Sequence, residues 1–296
     1  MARIILAMPG NEAMAAEIAE RSSIPLGDVE IRRFPDEESY VRIASSVRNC
    51  DVYIVCTLAR PDSQVVALMF VAETARALGA ANVELIAPYM AYLRQDTSFR
   101  EGEAVSARCF ARLLSGVFDT VVTVDPHLHR IAALNEVFET STLALSAAPL
   151  LADWIRAHVT DPLIVGPDSE SEQWAAAIAE LIGAPHVVLA KQRLGDRRVA
   201  LQVPDLSAWA HRRPVLIDDI VSSGTTALEA AQLLRAQGFD ELHCLAVHAL
   251  CDNAVYARLR ASFTAFVSTD TVPHPSNAIG VARLIAASLA EDAGSA

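Results

Sequence analysis

Lysine is almost absent from this sequence. Of its 24 basic residues only Lys191 is a lysine, and all the others are arginines. Because arginine serves here wherever a generic positive charge is needed, the one position that keeps lysine is a candidate for a compact ammonium group that a planar guanidinium cannot replace. The alternative interpretation is a surface position where a lysine remains by chance.

Long apolar runs and closely spaced cysteine pairs are also missing. No apolar run reaches the roughly 18 residues that a membrane span needs, so we expect no membrane partner. The apolar start of the chain turns polar by Asn11, which is too early for a signal peptide. The five cysteines are odd in number and form no CxxC pair, which is typical of reduced thiols and predicts a cytoplasmic protein.

Positive charge is scarce relative to negative charge. The 36 Asp and Glu residues outnumber the 24 Lys and Arg residues and give a net charge of −12. This balance argues against a nucleic-acid partner, because phosphate contacts need a basic face. The hydrophobic fraction of 52% supports well-filled cores, and 296 residues are enough for two domains of ordinary size.

Apolar strand-like runs alternate with helical segments along the chain. This order predicts an α/β fold built on parallel sheets, with ligands outside the carboxyl ends of the strands. The polar, aperiodic loop at 92–103 interrupts the order and is a candidate for function. Near residues 141–147, Ser, Thr and Ala replace the periodic pattern, so we predict domains at 1–143 and 144–296, with the terminal helix able to pack back on the first. The other elements used below are predicted as two strands within 28–43, a helix at 106–115, a strand at 186–193, a strand at 215–217 and a closing helix at 278–289.

The stretch from Val215 to Ala227 predicts an anion site. A short apolar strand ends in Asp218 and Asp219, and a helix with regularly spaced apolar residues follows. A loop of Ser, Thr and Gly that enters a helix presents backbone N–H groups beside the positive end of the helix dipole, which suits a phosphate. The two carboxylates cannot bind that phosphate, so they face sugar hydroxyls or a metal; the alternative is a solvated turn. The loop residues are Ser222, Ser223, Gly224, Thr225 and Thr226.

The whole string resembles the phosphoribosyl-diphosphate-binding motif of type I phosphoribosyltransferases and of ribose-phosphate diphosphokinases. Five further blocks are similar to those of the diphosphokinases and occur in the family order, whereas ordinary transferases lack the first two and the last. The resemblance implies two similar phosphoribosyltransferase-like α/β domains, each a mainly parallel sheet flanked by helices. The blocks are Phe34-Pro35-Asp36-Glu37-Glu38, Pro88-Tyr89 with Tyr92-Leu93-Arg94-Gln95-Asp96, Asp125-Pro126-His127, Pro167-Asp168 and Lys191-Gln192-Arg193.

The resemblance also implies a reaction and its partners. ATP and ribose 5-phosphate would give 5-phosphoribosyl 1-diphosphate and AMP, with Mg²⁺ as the cofactor and a homo-oligomer, dimer or hexamer, as the assembly. Two other classes stay open: a phosphoribosyltransferase and a non-catalytic regulatory subunit. The regulatory subunit would be expected to have lost His127 or Lys191, and both residues are present.

The residue roles follow from the resemblance alone. Lys191 and Arg193 would be catalytic, stabilising charge on the diphosphoryl group in transfer. His127 and Asp168 would be Mg²⁺ ligands or would anchor such ligands. One departure stands beside these matches, because Ser169 to Glu172 replace the glycine pair that many members have after the Pro-Asp. For ATP, Phe34 and Arg94 would border the adenine, Asp36 and Glu38 would hydrogen-bond it across a subunit contact, and Gln95 and Asp96 would help hold the nucleotide.

For ribose 5-phosphate, the two carboxylates Asp218 and Asp219 would bind the hydroxyls of the sugar. The phosphate would be bound by Ser222, Ser223, Gly224, Thr225 and Thr226.

Overall fold

A computed structural model describes residues 1–98, 100–168, 171–193, 199–202 and 204–291, with the backbone alone at 190–193, 199–202 and 291. The chain forms two compact units. The first consists of Met1–Leu145 together with the C-terminal segment from Val281, and the second is Ser146–Gly280. No helix within the described ranges is long and apolar enough to cross a membrane.

The first unit is built on a parallel sheet with strand order β1-β4-β5-β6-β7. Its central strands are apolar on both faces, as expected for parallel strands that helices cover on each side. The helix predicted at residues 106–115 is found at those residues. The elements of this unit are β1 Ala2–Ala7, α1 Glu12–Ser22, β2 Val29–Arg33, β3 Ser39–Ile43, β4 Cys50–Val55, α2 Val65–Ala77, β5 Asn82–Ala87, α3 Ser106–Ser115, β6 Thr120–Val124, β7 Ser141–Leu145 and, from the C-terminal segment, α8 Ala282–Glu291, with 3-10 turns at Pro61–Ser63 and Leu134–Glu136.

Strands β2 and β3 form an antiparallel hairpin apart from the main sheet, as the alternation within residues 28–43 predicts. The pairing sets Arg32 opposite Tyr40 and Glu30 opposite Arg42. Strand β3 lies against helix α2, and Arg33 Nη2, next to the turn, donates a hydrogen bond to the Ser63 carbonyl at 2.8 Å.

The division predicted at residues 143–144 falls within strand β7, and the first unit continues to Leu145. This edge strand pairs with β6 on one side only, so its sequence of Ser, Thr, Leu and Ala lacks the apolar run that marks a central strand. At the other end of the chain, helix α8 packs on α1, and Arg3 Nη1 donates a hydrogen bond to the Leu289 carbonyl at 2.9 Å.

The second unit is built on a parallel sheet with strand order β15-β14-β13-β12-β8-β9. Two units of this kind, each a parallel sheet with flanking helices, confirm the predicted fold class. The elements are α4 Ala148–His158, β8 Pro162–Gly166, α5 Glu172–Ile182, β9 His186–Val188, β10 Ala190–Arg193, β11 Val199–Gln202, β12 Arg213–Val221, α6 Thr225–Ala236, β13 His243–Ala249, α7 Asn253–Ser262, β14 Ala265–Thr269 and β15 Asn277–Ile279, with a 3-10 turn at Ser207–Trp209.

The prediction of a single strand at residues 186–193 is wrong. Strand β9 ends at Val188 within the main sheet, and β10 pairs instead with β11 as a separate antiparallel ribbon. The break lies at Leu189, which is fully buried and donates its N–H to the Gly166 carbonyl at 2.9 Å. An apolar residue that anchors the end of β9 therefore looks, in the sequence, like the middle of one longer strand.

The closing helix predicted from residue 278 begins four residues later, at Ala282. Of the residues in between, Ala278 and Ile279 belong to β15, which pairs in parallel with β14 at the edge of the second sheet. Three residues are too few to give a period-2 signal, so the sequence does not separate this strand from the helix that follows.

Candidate active site

Strand β12, a short loop and helix α6 form the predicted strand–loop–helix of the second unit. The strand is longer than predicted, because its parallel pairing with β13 continues to Val221 and carries Asp218 and Asp219 within the strand. The loop proper is Ser222 to Gly224. Thr225 and Thr226 are the first two residues of the helix.

Gly224 lets the chain enter the helix. Its φ of +69° lies in the left-handed region that disfavours side chains, and a Cβ there would lie 2.7 Å from Val255 Cγ1 of helix α7. The N-cap residue of α6, Gly224, has no side chain to cap the helix. The Ser223 hydroxyl accepts the Thr225 N–H at 3.4 Å and donates to Thr225 Oγ1 at 3.1 Å. An uncapped helix N-terminus with hydroxyls around it is suited to a phosphate.

The carboxylates behind this loop repel one another. Asp219 is buried and accepts a hydrogen bond from the Ile220 N–H at 2.8 Å, whereas Asp218 is half-buried. Burial, followed by the charges of Asp219 and Asp168, raises the pKa of Asp218 well above its usual value. A divalent cation or a set of sugar hydroxyls at this edge of the sheet would compensate the crowded negative charge.

Asp168 follows strand β8, next to β12 in the sheet. Its Oδ1 accepts the Ser171 N–H at 3.2 Å, and the buried Ser171 hydroxyl donates to the Asp168 carbonyl at 2.6 Å. These bonds fix the turn that carries the carboxylate. Within the stretch Ser169 to Glu172, Ser169 and Glu170 lie outside the described residues.

A metal site is only partly built by protein groups. Within the part of the chain that the structure describes, no three His, Cys, Asp or Glu side chains are grouped so that they could hold a metal ion by themselves. Mg²⁺ keeps several waters and takes oxygens from substrate phosphates, so one or two carboxylates are enough for it. The acids at the carboxyl ends of β8 and β12 therefore fit a divalent cation that arrives with a phosphorylated substrate.

His127 lies in the first unit, just after strand β6, and is half-buried. The chain reaches it through Asp125, whose φ is +35°, an unfavourable value for a residue with a side chain. Backbone strain of this kind costs about 1–3 kcal/mol and is retained mostly at functional sites. The Asp125 N–H donates to the Leu145 carbonyl at 2.8 Å, which ties this turn to the end of β7.

The hairpin turn presents the predicted adenine-binding residues to solvent. Phe34 is 41% exposed and is therefore not a core aromatic. The Phe34 N–H donates to the Glu38 carbonyl at 2.8 Å and closes the turn, while Glu37 takes a φ of +69°. Asp36 and Glu38, the residues before and after Glu37, are both exposed.

The loop that follows β5 holds three predicted nucleotide ligands in different settings. Arg94 is exposed, and Gln95 Oε1 accepts a hydrogen bond from the Ser106 hydroxyl at 3.2 Å. Asp96 is different, because its side chain is only 2% exposed and both oxygens are bonded to Arg130, to its backbone N–H and to its Nη1, each at 3.0 Å. Asp96 thus links this loop to the segment after His127, a role that the sequence does not predict.

The Asp96–Arg130 ion pair is expected to stabilise the fold in a pH-dependent way. Burial raises the pKa of Asp96, but the hydrogen bonds and charge of Arg130 lower it by more, to a net value below the usual one. Because the folded pKa is lowered, the pair stabilises the fold above about pH 4 and this contribution is lost as the pH falls through the folded pKa. Arg130→Met should lower stability at pH 7 by about 1–3 kcal/mol, a difference that shrinks towards pH 3.

Urea unfolding of wild type and variant at pH 7, 5 and 3 measures this difference. Arg21→Met is the matched control, because Arg21 makes a 2.8 Å ion pair with Glu17 in which both side chains are exposed. Its cost should stay below about 1 kcal/mol at every pH. Equal costs for the two variants at pH 7 would contradict the structural role of Asp96.

Lys191 and Arg193 lie on strand β10, opposite Leu201 and Val199 of β11. Their side chains lie outside the described atoms, so their predicted catalytic roles stay predictions.

Several site-supporting residues have no signal in the sequence. Arg130 lies 34 positions from Asp96. Val255 lies on helix α7, which helix α6 and strand β13 separate from Gly224 in the sequence. Contacts over such sequence separations leave no local pattern. Ser171 could have been found, because a Ser three residues after an Asp at a strand end is a capping pattern.

A parallel sheet with an acid pair, a hydroxyl-rich loop and an uncapped helix defines a phosphoribosyltransferase-type domain, and the family comparisons agree. Residues 135–284 match the family described as phosphoribosyl transferase domain, and residues 3–117 match the N-terminal domain of ribose phosphate pyrophosphokinase. The chain belongs to the ribose-phosphate pyrophosphokinase family.

Individual relatives extend over nearly the whole chain. The ribose-phosphate pyrophosphokinase of Methanopyrus kandleri is 35% identical over 287 residues, covering 96% of this chain and 97% of its own. The enzyme of the same name from Methanothermobacter thermautotrophicus is 33% identical, covering 96% and 98%. The crystal structure of phosphoribosylpyrophosphate synthetase from Mycobacterium smegmatis has the same fold, with a TM-score of 0.88, 24% identity and full coverage of both chains.

Proposed function

We propose that this chain is a ribose-phosphate diphosphokinase, which transfers the diphosphoryl group of ATP to the 1-hydroxyl of ribose 5-phosphate. The observation that carries the proposal is the acid pair of the second unit, Asp218 and Asp219, just before a helix N-terminus that has no side-chain cap. The chain enters this helix at Gly224. The N-terminal match and the exposed hairpin distinguish it from a simple transferase, which would have no use for an ATP site.

The pentose phosphate occupies the second unit. The backbone N–H groups and hydroxyls of Ser222 to Thr226 take its 5-phosphate at the positive end of α6. Asp218 and Asp219 accept hydrogen bonds from the ribose 2- and 3-hydroxyls. A carboxylate whose pKa is raised by burial and then by neighbouring charges is stabilised by such donors, because they replace lost hydration and offset the repulsion.

The reaction is a displacement at the β-phosphorus of ATP. The oxygen of the sugar's 1-hydroxyl forms a bond to that phosphorus and loses its proton, the bond to the α-phosphate bridging oxygen breaks, and AMP leaves. Lys191 and Arg193 stabilise the charge that spreads over the transferring group. Phe34 and Arg94 border the adenine, Asp36 and Glu38 hydrogen-bond it, and Gln95 and Asp96 support the nucleotide side.

Mg²⁺ is the divalent cation of this proposal. When bound, it neutralises phosphate charge and fixes the orientation of the diphosphoryl group. As the resemblance implies, His127 and Asp168 would each be a ligand of this cation or would anchor such a ligand. Asp168 is supported in that role by the bonds from Ser171 that fix its turn.

Incubation of the pure protein with ATP, Mg²⁺ and ribose 5-phosphate tests the function. AMP and 5-phosphoribosyl 1-diphosphate should appear in equal amounts. A phosphoribosyltransferase would instead consume 5-phosphoribosyl 1-diphosphate with a base and release pyrophosphate, and a regulatory subunit would do neither. Absence of AMP under the first conditions, with either result in the second assay, would overturn the proposal.

The remaining proposals concern compartment and assembly. All five cysteines are unpaired, which suits a reducing compartment, so we assign the protein to the cytoplasm. We also propose a homo-oligomer, because the adenine contacts of Asp36 and Glu38 are expected across a subunit contact; light scattering coupled to gel filtration distinguishes monomer, dimer and hexamer.

A further inference from the structure

Arg32 lies behind the ring of Phe34 in the hairpin. Its guanidinium carbon is 4.8 Å from the centroid of the Phe34 ring and 4.1 Å from that of Tyr40. The two rings meet edge to face, with centroids 6.1 Å apart and planes at 90°. One cation therefore contacts two aromatic rings of the hairpin, Phe34 at the turn and Tyr40 on β3.

The hairpin register explains this cluster. Tyr40 of β3 is directly opposite Arg32 of β2, and Phe34 comes directly after the last residue of β2. Glu30, two residues before Arg32, forms an ion pair with its Nε at 3.7 Å. The Arg32 side chain therefore has a carboxylate neighbour as well as the two aromatic rings, although it lies on an exposed surface.

The cluster has a consequence for the exposed face of Phe34. A cation over one face of an aromatic ring draws on the ring's negative quadrupole and makes the opposite face less negative. An electron-rich purine then stacks on that opposite face with less repulsion. The contact with Arg32 and the edge of Tyr40 also restrict the rotation of the ring, so less freedom is lost when a base binds.

The geometry points to Arg32 as a positioning residue for the adenine of ATP, acting through Phe34 and with Tyr40 as its second support. This inference rests on the proposed function, because it takes Phe34 to be the residue that stacks on the base. It adds two residues that lie outside the Phe34 to Glu38 block and that contact the base-stacking ring from behind.

Arg32→Met tests the inference, because methionine keeps an apolar stem of similar length and removes the charge. We expect both the KM for ATP and the Kd for ATP, measured by calorimetry, to rise about two- to fivefold. The kcat and the KM for ribose 5-phosphate should stay within twofold. Arg32→Lys should recover part of the affinity, since an ammonium also binds over an aromatic face.

Arg42→Met is the matched control. Arg42 is an exposed arginine on the facing strand, and it pairs with the same Glu30 at 3.8 Å. It should leave the Kd for ATP unchanged. If Arg42→Met and Arg32→Met weaken ATP binding equally, the effect is general surface charge and the inference fails.

A double-mutant cycle with Phe34→Leu decides whether Arg32 acts through the ring. Phe34→Leu alone should raise the Kd for ATP, and adding Arg32→Met to it should have little further effect. If Arg32→Met costs the same in both backgrounds, Arg32 acts elsewhere. If Phe34→Leu leaves the Kd for ATP unchanged, Phe34 does not bind the adenine and this inference fails with it. If the variants show the expected changes in Kd but the wild-type protein forms no AMP, only the proposed reaction is contradicted.

Discussion

Lys191→Ala is expected to reduce kcat by about 10²–10³-fold while the Kd for ATP changes little, because removal of a group that stabilises charge only in the transition state costs rate rather than binding. The expectation follows from the composition, since one lysine among 24 basic residues stands at this position, and from the Lys-x-Arg resemblance. Rapid-quench measurement of AMP formation gives kcat, and calorimetry gives the Kd.

Two companion variants sharpen this test. Lys191→Arg keeps the charge but replaces a compact ammonium with a planar guanidinium, and it should remain at least about tenfold below wild type if the ammonium itself is needed. Gln192→Ala removes the neighbouring polar side chain without changing charge and should keep kcat within threefold. Full activity of Lys191→Ala would remove the catalytic assignment.

Gly224→Ala is expected to damage both the fold and the phosphate site. A non-glycine residue in the left-handed region costs about 1–2 kcal/mol. The new Cβ would also lie 2.7 Å from Val255 Cγ1, an overpacking that costs about 1–3 kcal/mol more. Because Val255 of helix α7 occupies the space that this Cβ needs, the loop is expected to shift away from α7. The KM for ribose 5-phosphate should then rise at least about tenfold. Differential scanning calorimetry and initial-rate kinetics measure the two effects.

The chain offers a matched glycine as the control. Gly183 caps helix α5 with a φ of +68°, nearly that of Gly224, but nothing lies within 4 Å of a Cβ there. Gly183→Ala should show only the backbone cost and an unchanged KM. Adding Val255→Ala to Gly224→Ala removes the clashing methyl groups and should restore part of the stability. Equal effects of the two glycine variants on KM would contradict the role of α7.

The sequence predicts those elements whose residues carry their own signal. Helix α3 is found at the predicted residues because its apolar residues form one regular face. Strand β12 is longer than predicted because pairing with β13, a tertiary contact, carries two charged residues inside a strand. Strands β7 and β15 lie at sheet edges, where a strand needs fewer apolar residues, so composition does not reveal them.

The candidate site divides in the same way. Local motifs predicted the loop at Ser222 to Thr226 and the exposed Phe34, since each depends on adjacent residues. The burial of Asp96 against Arg130 could not be predicted, because it depends on two loops that meet only in the folded unit. The pKa of Asp218 likewise depends on Asp168, which the sheet order brings near from 50 positions away in the chain.

The return of helix α8 to helix α1 determines when the first unit can be completed on the ribosome. Domains usually fold in order of synthesis, from the N-terminus. Here the second unit, Ser146–Gly280, is contiguous and can fold while translation continues. The first unit must wait for Ala282–Glu291, so in every shorter nascent chain the α1 surface stays uncovered and Arg3 lacks its Leu289 acceptor.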